Sequence, residues 1–140
     1  MTTSLHPAPS AVTSINPTTW NAAFGYDQGQ LRAAPARLLT VAGQGPVDES
    51  GVLLHAGDVS AQLSLSLANV ETVLAAAGMD LSDVLRLVVY TTDVDATLAA
   101  YGALIERLQQ FSATPPTTLL GVQRLALPGM AVEIDATAGR

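Results

Sequence analysis

An alternating run near the C-terminus constrains the fold more than any other feature of the chain. Val132, Ile134 and Ala136 are apolar, whereas Glu133 and Asp135 between them are acidic. Successive side chains of a β-strand point to opposite faces of its sheet, so the run predicts a strand with one face in a core. The other face carries two carboxylates, and this acidic face requires an explanation.

A second strand-like run covers residues 117–122. It is bounded by the Pro115-Pro116 pair on one side and by the Pro128-Gly129 turn on the other. Proline has no backbone N–H and rarely lies inside a paired strand, so these positions limit where extended chain can begin and end. The two runs are predicted to pair with each other as a ribbon.

The composition indicates one globular domain. Of 140 residues, 49% are hydrophobic and 13% are charged, which is enough apolar surface for a single core. The chain has no cysteine, no apolar run of the roughly 18 residues that a membrane span requires, and no signal-peptide pattern. We expect a soluble cytoplasmic protein with no membrane partner and no disulfide or thiolate metal site.

The distribution of charge argues against nucleic acid as a partner. The net charge is −6, lysine is absent, and the six arginines are scattered along the chain. Neutralising a phosphate backbone requires clustered cations. The two histidines, His6 and His55, fall in a predicted arm and a predicted turn, so neither a metal site nor a histidine-based triad is expected.

The first third of the chain predicts mainly extended structure. Residues 1–19, with three prolines among serines and threonines, predict an irregular arm, and residues 20–140 predict a single domain. Residues 20–31 are typical of an edge strand, and residues 37–42 of a second strand. The Gly43-Gln44-Gly45 segment that follows predicts a turn, because no helix or lysine follows it as a phosphate loop would need.

Two helices are predicted from apolar residues at helical spacing. The first begins after Asp58 as N-cap and ends at Gly78, and the second covers residues 95–111. Residues 84–90, between the helices, are too short and too rich in β-branched residues to prefer a helix and predict a strand. This order predicts an α+β fold with two helices on one face of a mixed sheet of about six strands.

The strand at residues 84–90 is apolar on both faces. Leu85, Leu87 and Val89 alternate with Val88 and Tyr90. Two helices cover one face of a sheet, and the chain has too few helices to cover the other. We therefore expect another subunit to cover the second face.

The carboxylates Glu133 and Asp135 have two possible roles. If a neighbouring subunit covers their face, at least one of them lies in a partly dry cleft, where it could act as a general acid or position a water. Alternatively, both are solvated or are paired with arginines, and the spacing by itself favours this second interpretation.

Taken together, several fragments resemble the YjgF/RidA family, the reactive intermediate imine deaminases. They occur in the family's order and spacing from about Tyr26 to the C-terminus. The matching fragments are Gly43-Gln44 with Pro46 and Gly51, Gly57-Asp58, Ala61-Gln62, residues 67–70, Ala77-Gly78, residues 84–90 with Asp93, residues 116–122, Pro128, residues 132–134 and Ala136.

The resemblance implies a homotrimer of chorismate-mutase-like subunits whose sheets enclose a central barrel, with clefts between subunits. Active members hydrolyse enamines or imines such as 2-aminoacrylate to a keto acid and ammonia without a cofactor. Glu133 matches the glutamate that places the water, Tyr26 an aromatic residue at the mouth of the cleft, and Gly43 a glycine whose N–H meets the ligand. Tyr90, Thr118 and Leu119 are further expected binding residues.

The chain departs from the family at the carboxylate clamp. Thr117 stands where the family has an arginine, Leu119 where it has a cysteine, Ala42 where it has a small hydroxyl residue, and Leu98 where it has an asparagine. Thr117 offers one neutral hydroxyl in place of a charged, bidentate group. By strand parity Thr117 and Leu119 face the same cleft, which becomes less charged and more apolar.

Three functions remain open from the sequence. The first is a deaminase-like hydrolase acting on a less acidic imine or enamine, with Glu133 and Thr117 as catalytic residues and no metal or cofactor. The second is a non-catalytic trimer that binds a small molecule or a protein. The third is an endoribonuclease or translation inhibitor, which the acidic, lysine-free composition disfavours.

Overall fold

The computed structural model describes residues 12–140. These residues form six strands, two α-helices and two short 3-10 turns, at Ala22–Phe24 and Leu81–Asp83. The strands and helices are β1 (Thr13–Ile15), β2 (Gly29–Leu31), β3 (Leu38–Gln44), α1 (Val59–Ala76), β4 (Val84–Thr91), α2 (Val94–Gln109), β5 (Thr117–Gly121) and β6 (Val132–Gly139).

The six strands belong to two sheets. β1 and β2 form an antiparallel ribbon, and the main sheet has the order β3-β6-β4-β5. β6 is antiparallel to both of its neighbours, whereas β5 runs parallel to β4. The expected α+β fold with two helices and a mixed sheet is therefore present, with two of the strands set apart as a ribbon.

The prediction that β5 and β6 pair with each other is wrong. β4 lies between them, with Leu87 opposite Thr117 on one side and opposite Ala136 on the other. The alternation of apolar residues determines which face a strand presents, but it carries no information about the neighbouring strand. β4, the most apolar of the strands, is paired on both of its edges, as β6 is.

One face of the main sheet packs under the two helices, as the alternation of β6 predicts. Val132, Ile134 and Ala136 are buried in the core with Leu63, Leu67 and Val70 of α1. Both helix boundaries of α1 follow the predicted signals. The Asp58 side chain accepts a hydrogen bond from the Ala61 N–H at 3.0 Å, and Gly78 adopts a left-handed φ of 74°.

The opposite face of the sheet is uncovered in the single chain. Tyr90, Glu133 and Asp135 lie half-buried there, and Leu120 is 45% exposed. The sheet is open at both edges and forms no closed barrel within residues 12–140. Cover by another subunit, the reason for expecting a trimer, stays a prediction.

The N-terminal segment is more ordered than expected. Residues 1–11 of the predicted arm lie outside the described residues, but Thr13–Ile15 form β1 where irregular chain was expected. The edge strand predicted for residues 20–31 shortens to β2, because Gly25 with a φ of 73° interrupts it after the 3-10 turn. The pairing partner of β2 comes from the arm itself, which local patterns did not reveal.

A buried carboxylate joins the ribbon to the main sheet. Asp27 accepts hydrogen bonds from Ser14 at 2.6 Å, Asn16 at 2.8 Å, Thr114 at 2.8 Å and Gln30 at 3.0 Å. Its backbone N–H also donates to the Thr114 carbonyl at 3.0 Å. Asp27 therefore connects β1, β2 and the segment that leads into β5.

The hydrogen bonds keep Asp27 ionised. Burial by itself raises the pKa of this carboxyl, but the four side-chain donors outweigh burial and lower the pKa from 3.8 to about 2. A group whose pKa is lower in the folded state stabilises the fold above its unfolded pKa. This stability is lost as the pH falls from about 4 through about 2.

We expect Asp27→Asn to lower the free energy of unfolding by about 2 kcal/mol at pH 7, because an amide offers one acceptor oxygen and turns a donor toward donors. Urea unfolding followed by the fluorescence of the single tryptophan, Trp20, measures this loss. The difference from wild type should shrink between pH 4 and pH 2. Glu49→Gln, at an exposed position, is the matched control. A difference that stays constant over this pH range would contradict the assignment.

Candidate functional site

Glu133 lies directly over Gly43. The carboxylate of Glu133 in β6 reaches across to β3, where the register shifts between Val41 and Gln44 and a bulge places Gly43 beside it. A Cβ added to Gly43 would overlap the Glu133 Oε1 atom and lie 2.6 Å from its Cδ. Glycine at this position leaves room for the carboxylate where it lies, and a larger residue would displace the Glu133 side chain.

Tyr90 and Asp135 complete this side of the sheet. Tyr90 lies opposite Glu133 in the β4–β6 pairing, and its hydroxyl donates to Asp135 Oδ2 at 2.7 Å. The hydrogen bond to Asp135 is the main cause that raises the pKa of Tyr90, so the phenol stays protonated and acts as a donor. We call Gly43, Tyr90, Glu133 and Asp135 the acidic half-site.

Neither carboxylate is paired with an arginine within residues 12–140. The ion pairs found there join Arg107 to Glu71 and Arg140 to Asp83. No group in this part of the chain donates a hydrogen bond to Glu133, whereas Asp135 is bound by a phenol. The alternative in which arginines of the same subunit neutralise the pair is therefore not observed.

Thr117 and Leu119 lie on the other face of the sheet. Thr117 is beside the buried Leu87 of β4, and Leu119 is beside Val89, so both point to the helix side, as strand parity predicts for this pair. Beyond the edge of the core they line a pocket of about 270 Å³. We call it the aromatic pocket, and its lining residues are Trp20, Phe24, Tyr26, Leu98, Tyr101, Thr117 and Leu119.

The aromatic pocket is built by the connection between β1 and β2, by α2 and by β5. Asn21 donates to the Tyr26 carbonyl at 2.7 Å and fixes the loop that carries the aromatic residues. Trp20 and Tyr26 make an edge-to-face contact with centroids 6.4 Å apart. Tyr101 of α2 is buried in the core and also lines the pocket. Burial raises the pKa of Tyr101 to about 12, with a smaller contribution from Tyr26.

The Thr117 hydroxyl already has an acceptor. It donates to the Pro115 carbonyl at 2.8 Å, two residues earlier in the chain. Its single proton is therefore used locally and is not free for a ligand. Thr118 lies on the open face and is exposed, and neither threonine donates to Glu133 within residues 12–140.

The structure thus separates the two residues predicted to be catalytic. Glu133 aligns with Tyr90 and Thr117 with Leu87, an odd offset along β4, so their side chains leave opposite faces of one sheet. Within a single subunit they cannot share a cleft. Of the predicted binding residues, Gly43 and Tyr90 accompany Glu133, Tyr26 and Leu119 accompany Thr117, and Thr118 lies apart on the open face.

Trp20 and Phe24 were not among the predicted site residues. Both are exposed, Trp20 to 67%, although they are large and apolar. The available signal was a concentration of aromatic residues in a chain with only 4% of them. Their positions follow from the 3-10 turn, which local sequence patterns did not indicate.

Two properties follow from the described residues alone. No helix between residues 12 and 140 is long and apolar enough to span a membrane. The same part of the chain contains no group of three or more histidine, aspartate and glutamate side chains arranged to hold a metal ion.

The described residues form an α+β fold with two helices on one face of a mixed sheet. The acidic half-site lies on the other face, and the aromatic pocket lies on the helix side. The sequence model of the endoribonuclease L-PSP family matches residues 18–139. The chain therefore belongs to this family, which includes the YjgF and Rid proteins, and its fold is the fold of that family.

Individual relatives agree with this assignment. The chain is 35% identical over 117 residues to the protein DfrA of Myxococcus xanthus, covering 83% of this chain and 86% of that protein. It is similar to the Rid-family protein YyfB of Yersinia pestis, with 35% identity, a TM-score of 0.83, and 92% and 98% of the two chains covered. It is also similar to Escherichia coli TdcF with bound serine, with 30% identity, a TM-score of 0.66, and 82% and 87% covered.

Gly43→Ala should change the stability of the fold by no more than about 0.5–1 kcal/mol, because the new methyl group displaces the Glu133 carboxylate, the movable end of a side chain on the uncovered face. Gly102→Ala is the matched control. Nothing lies within 4 Å of a Cβ there and the residue is inside α2, so it should stabilise the fold by up to about 1 kcal/mol. Thermal unfolding measures both changes. A loss of more than about 2 kcal/mol in Gly43→Ala would show that the Glu133 side chain cannot move aside.

Proposed function

We propose that the protein is a cofactor-independent hydrolase of small imines or enamines, acting in clefts between the subunits of a homotrimer. The observation that carries the proposal is the Glu133 carboxylate held over Gly43 on the uncovered face of the sheet. A carboxylate there is partly desolvated once a second subunit covers it, which suits a residue that takes a proton from water.

The separation of the half-sites supports a cleft made by two subunits. The acidic half-site has a proton acceptor but no apolar wall, and the aromatic pocket has walls but no acid or base. The acidic half-site of one subunit faces the aromatic pocket of the next, and three such contacts close the ring around a central barrel. Each cleft then contains Glu133 from one subunit and Tyr26, Thr117 and Leu119 from another.

The reaction needs only water and the substrate. Glu133 accepts a proton from a water whose oxygen attacks the carbon of the C=N bond, and it returns this proton to the nitrogen to give a carbinolamine. The proton of the carbinolamine hydroxyl then passes to the nitrogen through Glu133, the C–N bond breaks and ammonia leaves. A C=O bond replaces C=N, so that R₂C=NH and H₂O give R₂C=O and NH₃. An enamine enters the same route after tautomerising to its imine.

The homotrimer gives the first test. Light scattering at micromolar concentration should report about three times the subunit mass of 14.4 kDa. Glu133→Gln should leave the mass unchanged, because it alters a cleft group without changing core volume. A monomer at this concentration would overturn the two-subunit cleft.

The charge of the aromatic pocket sets the substrate. Since Thr117 replaces the arginine clamp and its hydroxyl is already bonded to Pro115, nothing in the pocket neutralises a carboxylate. Wild-type protein should therefore release little ammonia from freshly generated 2-aminoacrylate. Thr117→Arg should raise the rate at least about tenfold, because each charge-assisted hydrogen bond contributes about 1.5–3 kcal/mol.

The control for this gain is Thr117→Arg combined with Glu133→Gln. It should bind the substrate and lose turnover, because the clamp is present and the base is absent. Wild-type turnover as high as that of Thr117→Arg would show that the clamp is dispensable. Turnover that survives without Glu133 would remove its proposed role.

A non-catalytic trimer that binds a small molecule or a protein is the second candidate. The same bond between Thr117 and Pro115 favours it, since it removes the hydroxyl from any part in the reaction. It predicts ligand binding without ammonia release from any imine tested. Endoribonuclease activity remains the disfavoured third candidate, because the net charge of −6 repels RNA.

A further inference from the structure

The aromatic pocket has a composition suited to one charge class of ligand. Four of its lining residues are aromatic, namely Trp20, Phe24, Tyr26 and Tyr101, and none of the described residues that line it is charged. Trp20 and Phe24 stand more than 40% exposed at its rim, and Tyr101 is buried at its base. The rings thus surround a space of about 270 Å³ that opens to solvent.

Aromatic rings present a negative π face, which attracts a cation within about 6 Å of the ring centre. Trp20 and Tyr26 pack edge to face, with ring centroids 6.4 Å apart, and together form one corner of the pocket. Tyr101 contributes as a neutral phenol, since burial raises its pKa to about 12. An anion would meet no cationic side chain in the pocket, where the Thr117 proton is already donated and the phenol hydroxyls of Tyr26 and Tyr101 are neutral donors only.

The charge of the whole protein acts in the same direction. At −6 the chain attracts cations and repels anions. Within residues 12–140, Arg107 lies over the ring of Phe111, with its Cζ atom 5.0 Å from the ring centroid. This pair lies outside the pocket, and Arg107 forms an ion pair with Glu71. The pocket is therefore an aromatic site without a resident cation.

We propose that the aromatic pocket binds an organic cation, and that the ligand class of the cleft is a protonated imine or amine without a carboxylate group. The assignment of an imine as the ligand rests on the proposed function, whereas the assignment of an organic cation does not. The positive nitrogen would lie against the rings, and the imine carbon would face the acidic half-site of the neighbouring subunit. Protonation also makes the C=N carbon more electrophilic, so the bound form is the reactive one.

The experiment uses three probes of nearly identical shape and different charge. Choline is the cation, 3,3-dimethylbutan-1-ol is its neutral isostere, and 3,3-dimethylbutanoate is the anion. None absorbs where tryptophan is excited, and Trp20 is the single tryptophan, so its fluorescence reports binding in this pocket. Choline should bind about fivefold more tightly than the alcohol, and the anion more weakly than either.

Phe24→Leu removes one π face and keeps an apolar side chain. It should lower the affinity for choline about threefold and leave the affinity for the alcohol unchanged. Phe111→Leu, the same substitution outside the pocket, is the control and should change neither affinity. Thermal unfolding of both variants shows whether each remains folded at the temperature of the titration.

The outcomes separate this inference from the proposed function. Equal binding of choline and the alcohol, or tighter binding of the anion, overturns the cation assignment and leaves imine hydrolysis to its own test. Selective binding of choline supports the assignment even if no imine is hydrolysed, in which case the hydrolase proposal fails. Loss of selectivity in Phe111→Leu as well as in Phe24→Leu would place the cation elsewhere.

Discussion

The close contact between Glu133 and Gly43 is the constraint on which the rest of the site depends. β6 must bury Val132 and Ile134 under the helices, and this requirement sends Glu133 to the uncovered face. There the carboxylate occupies the space that a side chain at residue 43 would need. The bulge in β3 brings Gly43 to this place. The alternation of β6 and the bulge in β3 therefore together determine where the carboxylate lies.

A second network holds the other half of the site. The Asp27 carboxylate gathers donors from β1, β2 and Thr114, next to the proline turn that leads to Thr117. Tyr26 precedes Asp27 in sequence and lines the aromatic pocket opposite Thr117. The polar network thus links the segment that carries Tyr26 to the segment that leads to Thr117. A buried, fully bonded carboxylate suits this task because each lost donor would leave a charge without a partner.

The acidic half-site and the aromatic pocket lie on opposite faces of the same sheet. In a single chain the acidic half-site has carboxylates but no apolar wall, and the aromatic pocket has apolar walls but no carboxylate. Association of subunits would unite them and would also cover Leu120 of β5, which is 45% exposed. In this proposal, the contact between subunits that buries the open face of the sheet also completes the cleft. The protein must therefore assemble in order to function.

The sequence by itself determined the secondary-structure elements that have strong local signals. Asp58 and Gly78 set the limits of α1, and the alternation of β6 set which of its residues enter the core, because capping and strand parity act over a few residues. Tertiary structure alone decided that β4 separates β5 from β6, that the arm supplies β1, and that Trp20 and Phe24 border a pocket. It also placed Glu133 and Thr117 on opposite faces. These features arise from pairing and packing between residues far apart in the chain, which local patterns do not encode.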